Sequence, residues 1–312
     1  MKPVIIIAIA FVVVGLVVLF IAFPMEYDAD KTPVGFLDEV KEKKPINTNP
    51  NLEKQFSPSQ KSVGQIIPSQ YEEAGNEDYL FRVFIKLENV IEKDDGLGWI
   101  EAEIYPKSEY KEIYDQVGVS IEKQNTAVIY PVFTASAYKS PGFYDYYKKN
   151  CDESCLTTKI EVTLDYNNSG TGVQILDLLG YEIINDVTVH NNPEILNDYD
   201  KVIVLHNEYV TKTEYNAITG HPKVMYLYPN ALYAEVEYFP DSNSITLIRG
   251  HSYPEEEISN GFDWEFDNSP LELQGDCEKW EFYQIDNGVM LNCYPDNRMI
   301  IDIELLKAIK EF

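Results

Sequence analysis

The sequence predicts an α/β protein: an open, mostly parallel, three-layer sheet, preceded by a β-rich unit and one N-terminal transmembrane helix. Three observations lead there. Val4 to Phe23 carries no charge, residues 79–135 read mostly as strands about an Asp-Gly turn, and residues 159–228 alternate short apolar runs with short helices. The chain divides into an anchor over 1–25, a linker over 26–78, the β-rich unit over 79–135 and the α/β domain over 136–312.

At 1.5 Å rise per residue the apolar run spans roughly 30 Å, the thickness of bilayer hydrocarbon. Lys2 precedes it and Glu26, Asp28 and Asp30 follow, so the expected location is the cell membrane, with residues beyond Met25 outside the cytoplasm. A cleaved signal peptide is the rival, but the run is long and its Phe-Ile-Ala-Phe-Pro ending lacks a small-x-small site. The linker, with Pro33, Pro45, Pro50, Pro58 and Pro68, reads as a solvated coil of roughly 35–40 Å root-mean-square span. The alternative is a loop wrapped on the domain through Phe36, Leu37, Ile66 or Ile67.

Composition narrows the partners. The 312 residues hold 52 Asp and Glu against 25 Lys and Arg, a net charge of −27, which disfavours nucleic acid and anionic lipid headgroups. Hydrophobic residues at 45% are enough for a core. Cys151, Cys155, Cys277 and Cys293 form an even set, as exported proteins carry, and predict two disulfides of open connectivity. They make a weak zinc pattern because no histidine lies at ligand spacing. Asn167-Asn168-Ser169 is a single glycosylation sequon.

The elements follow in order. Leu80–Ile85 and Trp99–Tyr105 are strands of the β-rich unit, linked through Asp94-Asp95-Gly96, and Ala127–Phe133 is a third. Lys159–Leu164 then opens the α/β domain as a strand, Gly172–Leu179 is a helix, and Tyr181–Ile184 is a strand that Asp186–Val189 extends. Lys201–Leu205 is a compact apolar run suited to a buried parallel strand. Thr211–Thr219 is a helix capped by a threonine and stopped at Gly220, and Lys223–Tyr228 is a strand. Leu232–Phe239 and Ser244–Ile248 pair as a hairpin, and Ile300–Phe312 closes the domain.

Ligands of open α/β sheets bind beyond the carboxyl ends of the strands. Those ends carry Asp165 and Tyr166, then His206, Asn207, Glu208 and Tyr209, then Tyr228 and Asn230. Carboxylate and imidazole can bind a metal or move a proton, and bound Fe³⁺ can stabilise a phenolate. The bland reading is that these polar groups cap helices and satisfy backbone. There is no G-x-[CS]-x-G elbow, phosphate loop or G-x-G-x-x-G. His190 and His221 read as surface groups, and His251 near Glu255, Glu256 and Glu257 reads as part of a solvated acidic loop or a cation site.

Leu-Gly-Tyr at 179–181, the run Asp200–Val204, His206-Asn207-Glu208-Tyr209 and Tyr226–Tyr238 together resemble the C-terminal domain of the N,N-dimethylformamidase large (β) subunit family. The similarity spans Leu178–Arg249, about a quarter of the chain. It implies a class I glutamine-amidotransferase-like fold without the cysteine nucleophile. It also implies a mononuclear iron held by two tyrosines and a glutamate that hydrolyses an amide. Tyr209 sits where one such tyrosine is expected and Tyr166, outside the similar stretch, is the candidate for the other, while the glutamate falls on no identified position. Two functions are therefore expected. The first is binding of a small molecule or surface protein outside the cell. The second is an iron-dependent amidohydrolase in which Tyr166 and Tyr209 hold the metal, His206 or Glu208 handles water, and Asp165, Asn207, Tyr228 and Asn230 contact the ligand. Calcium on the acidic surface is a third, weaker expectation.

Overall fold

The computed structural model describes residues 71–312 apart from Asn76, Leu87, Asn89, 94–95, Ile100, 120–123, 166–168, Asn268 and 272–276. The expected anchor, the linker up to residue 70, Asp94-Asp95, Tyr166 and the two asparagines of the sequon lie outside the described residues.

Strands β1 (Tyr71–Ala74), β2 (Phe81–Lys86), β3 (Val90–Lys93), β4 (Gly96–Trp99) and β5 (Ala102–Pro106) come first. They form an antiparallel β1-β2-β5 sheet and a β3-β4 hairpin. Alternate residues Phe81, Val83 and Ile85 of β2 are buried, the period expected of a strand with one face on a core. Helix α1 (Lys111–Val117) leads to β6 (Thr126–Tyr130), α2 (Val132–Ala137) and α3 (Phe143–Tyr147). Then come β7 (Thr157–Lys159), α4 (Gly170–Leu178), β8 (Glu182–Asn185), α5 (Asp186–Asn191), β9 (Lys201–Val204), β10 (Tyr209–Val210), α6 (Lys212–Gly220) and β11 (Val224–Tyr226). The hairpin β12 (Ala234–Phe239) and β13 (Ser244–Arg249), β14 (Phe282–Ile285), β15 (Gly288–Leu291), α7 (Asp296–Met299) and α8 (Ile303–Glu311) complete the chain.

The main sheet has the order β14-β15-β11-β9-β6-β8 and is parallel except for the β14-β15 pair. Its inner strands are buried on both faces, so their side chains divide between two apolar layers. Val128, Ile203 and Met225 enter one with α4 and α8, while Ala127, Ile129, Val202 and Val204 enter the other with α5 and α6. The protein is thus a mixed α/β fold with helices on either side of the sheet. Gln174 of α4 ties the N-terminal sheet to it, accepting from Ile104 N at 3.1 Å and donating to Ala102 O at 2.9 Å.

Two expected strands are corrected. Lys159–Leu164 is not a strand of the parallel sheet: β7 ends at Lys159 and pairs antiparallel with β13 in a second sheet, β10-β12-β13-β7. The reason is burial, because only Thr158 of the three β7 residues is covered, whereas a central parallel strand must be apolar on both faces. β6 meets that requirement with all five residues buried, and it lies between β9 and β8 although it falls within 79–135. Asp186–Val189 does not extend β8. Asn185 Oδ1 accepts from Thr188 N at 3.0 Å and starts helix α5 instead.

The cysteines pair as Cys151–Cys155 and Cys277–Cys293, with Cα separations of 6.0 and 5.3 Å. His221 is buried, its ring nitrogens 3.1 and 3.0 Å from the carbonyls of Lys223 and Tyr199, and His190 Nδ1 lies 2.9 Å from Thr211 Oγ1. His221 is therefore not a surface group, and His190 is half-buried. Among the described residues no helix is long and apolar enough to cross a membrane.

Candidate functional site

β9 and β11 are parallel neighbours, so their carboxyl ends deliver His206–Glu208 and Tyr228–Asn230 side by side. Backbone contacts set the first segment. His206 N donates to Ser169 Oγ at 3.0 Å, Asn207 N to Leu205 O at 2.8 Å and Tyr209 N to Thr134 Oγ1 at 3.2 Å. Ser169 holds a left-handed φ of 64° just before α4, which brings its hydroxyl under the end of β9.

Glu208 is the centre. It is fully buried, yet each carboxylate oxygen has partners. Oε1 lies 2.5 Å from His251 Nε2 and 3.4 Å from Tyr144 Oη, while Oε2 accepts from Tyr138 Oη and lies 3.4 Å from His206 Nε2. His206 Nε2 also meets Asn230 Nδ2 at 2.9 Å and Tyr294 Oη at 3.2 Å, and its ring stacks on Tyr228 at 5.1 Å. The Tyr228 hydroxyl donates onward to Asp296, whose other oxygen accepts from Gly172 N at 2.9 Å.

These contacts set the charges. Burial alone would raise the Glu208 carboxyl, but hydrogen bonds and positive charge from His206 and His251 outweigh it and hold it at about 2. Burial, reinforced by the Glu208 charge, pushes the Tyr138, Tyr147 and Tyr209 phenols well above their usual value, so they stand as neutral hydroxyls. Burial drives Asp296 up to about 6 against the pull of Tyr228 and Gly172.

The expected residues separate. His206, Glu208, Tyr209, Tyr228 and Asn230 come together. Asn207 turns away, donating from Nδ2 to Asp186 Oδ1 at 2.5 Å. Asp165 bridges Glu101 rather than joining the end of a parallel strand, because the strand expected to carry it is not in that sheet. Sequence reasoning did not place His251 at this site and missed Tyr138, Tyr144, Tyr147, Tyr233 and Tyr294, of which Tyr144 and Tyr147 share α3. The one available signal was density: four of the ten residues 138–147 are tyrosine.

Of the iron donors that the family resemblance implies, Tyr166 lies outside the described residues and the glutamate has no assigned position, which leaves Tyr209 as the one described member of that set. Glu208 Oε1 and His251 Nε2 are in direct contact, too close to bridge a metal, and the Tyr209 hydroxyl engages that of Tyr147 at 3.3 Å. No group of three or more His, Cys, Asp or Glu among the described residues is arranged to hold a metal ion. The arrangement can bind a polar group against an ionised carboxylate, or shuttle a proton between Glu208 and the partly exposed His251. The chain matches no protein-family model and no curated protein.

Proposed function

We propose that this chain is a membrane-anchored extracytoplasmic protein whose α/β domain, of the amidotransferase-like type, binds a small polar ligand at the ends of β9 and β11 without hydrolysing it. The observation that carries this reading is Glu208. A carboxylate kept ionised at complete burial, with partners from several elements, is a pre-formed polar anchor. Among the described residues its hydrogen-bond partners include no serine or cysteine, and of its two histidines His251 is the one that reaches solvent, with a side chain 21% exposed against 3% for His206. The charge-free run at Val4–Phe23 supports the anchor, and the two disulfides suit an oxidising compartment.

The location is tested by alkaline carbonate extraction and by protease accessibility in intact cells. The full chain stays with the membrane fraction and is cleaved from outside, and deleting residues 4–23 abolishes both results. Cytoplasmic recovery of the intact chain overturns the placement. Binding is tested by melting the full chain in detergent against a panel of small polar molecules. A ligand that raises Tm in the parent protein and not in Tyr233→Leu supports the site. Near-stoichiometric iron with a phenolate-to-iron absorption band, lost in Tyr209→Phe, would instead support the amidohydrolase.

A further inference from the structure

His251 does more than neutralise Glu208. Its imidazole is enclosed by four phenol rings: Tyr233 at 4.5 Å, Tyr147 at 5.0 Å, Tyr209 at 5.4 Å and Tyr144 at 6.3 Å between centroids. Tyr209 lies nearly face to face with it, at an interplanar angle of 19°, and Tyr233 and Tyr144 cross it at 64° and 63°. Glu208 closes the floor. Aromatic walls over a buried carboxylate are the elements that recognise an organic cation, through ring quadrupoles and one full countercharge.

The backbone carrying His251 is unusual. Gly250 N donates to Tyr253 O at 2.9 Å and Tyr253 N to Gly250 O at 3.0 Å, closing a four-residue turn. The central residues His251 and Ser252 have φ of 52° and 61°, the positive pair of a type I′ turn. Such positions favour Asn-Gly or Asp-Gly; a serine there is strained, and the strain is held by tertiary contacts. The turn tip inserts an imidazole into the box as a bound ligand would enter.

We propose that the Tyr144, Tyr147, Tyr209 and Tyr233 box over Glu208 is a binding site for a small organic ammonium ion, and that His251 is its resident plug, displaced when the ligand enters. This rests on the binding reading above and names its ligand class. The net charge of −27 favours approach of a cation over an anion.

The test is calorimetric titration of the full chain in detergent with choline and with its uncharged isostere 3,3-dimethylbutan-1-ol. The parent protein binds choline about tenfold more tightly than the isostere, and removing the plug in His251→Ala tightens choline binding by about a further tenfold. Tyr233→Leu in the plug-free background weakens choline severalfold and leaves the isostere unchanged. If His251→Ala does not melt cooperatively, His251→Asn, which tolerates the left-handed turn, takes its place. Equal affinity for choline and the isostere overturns the cation assignment and leaves the binding reading standing. Silence towards both in a cooperatively melting plug-free variant overturns the box as an ammonium site, while the ligand panel judges the binding reading separately.

Discussion

Glu208 and Glu214 are both completely buried, six residues apart, and their carboxyls behave in opposite ways. Glu208 has two histidines and is held at about 2. Glu214, in the first turn of α6, is raised well above its usual value by burial, by the charge of Asp186 and by a hydrogen bond with that carboxylate. Asp296 lies between them at about 6, with a phenol and a backbone N–H as donors. Depth of burial is the same in all three. The positive charge of the partner decides whether a buried carboxyl ionises, because desolvation acts on each and only the imidazoles supply a compensating field.

The largest effect is expected from removing the centre of this contrast. Glu208→Gln leaves His206 and His251 without their anion and costs about 3–5 kcal/mol, whereas Glu214→Gln, which replaces a neutral group by a neutral isostere, costs about 1 kcal/mol or less. Urea denaturation of the two variants measures the gap. Equal losses would mean that Glu208 is not held as an ion.

The pH dependence has opposite signs in the two regions. Glu208, depressed to about 2, contributes stability present above the unfolded value of about 4.5 and lost as pH falls towards 2. Asp186 and Asp296, each raised to about 6, favour the fold below about 4 and cost stability as pH rises through 6, on the order of 3 kcal/mol each. Melting temperature therefore rises as pH is lowered from 7.5 towards 5. The slope is shallower in Asp186→Asn and Asp296→Asn; an unchanged slope removes the assignment of these two groups.

A smaller effect sharpens the intermediate case. Tyr228→Phe deletes the hydroxyl that donates to Asp296 and costs about 1–2 kcal/mol, with the acid-side gain in stability extending to higher pH. NMR titration of the Asp296 carboxyl checks the direction. The smallest belongs to an exposed pair. Arg82 meets Glu73 at 2.8 and 2.9 Å with both side chains more than a third exposed, so Arg82→Ala costs about 0.5 kcal/mol, vanishing in high salt.

Parts of the fold were legible from local pattern. Lys201–Val204 and Val224–Tyr226 are apolar runs too uniform for a one-sided strand, and both became inner parallel strands. Their tips lie side by side, because parallel neighbours present the same end to one rim. Lys159–Leu164 misled because an alternating segment identifies a strand without saying which sheet takes it. His251 misled because the three glutamates after Pro254 are exposed while the histidine itself turns inward on a strained turn. No periodicity encodes that reversal.

Local chemistry in the chain was sufficient for the apolar stretch at Val4–Phe23, the acidic balance, the even cysteine set and the strands flanking His206 and Asn230. Each depends on neighbours within a few residues, where sterics and hydrophobicity act directly. Which carboxyls ionise and which tyrosines enclose His251 were decided only when distant segments packed. Coulomb and cation–π interactions at contact distance depend on spatial separation, and chain separation carries almost none of that information.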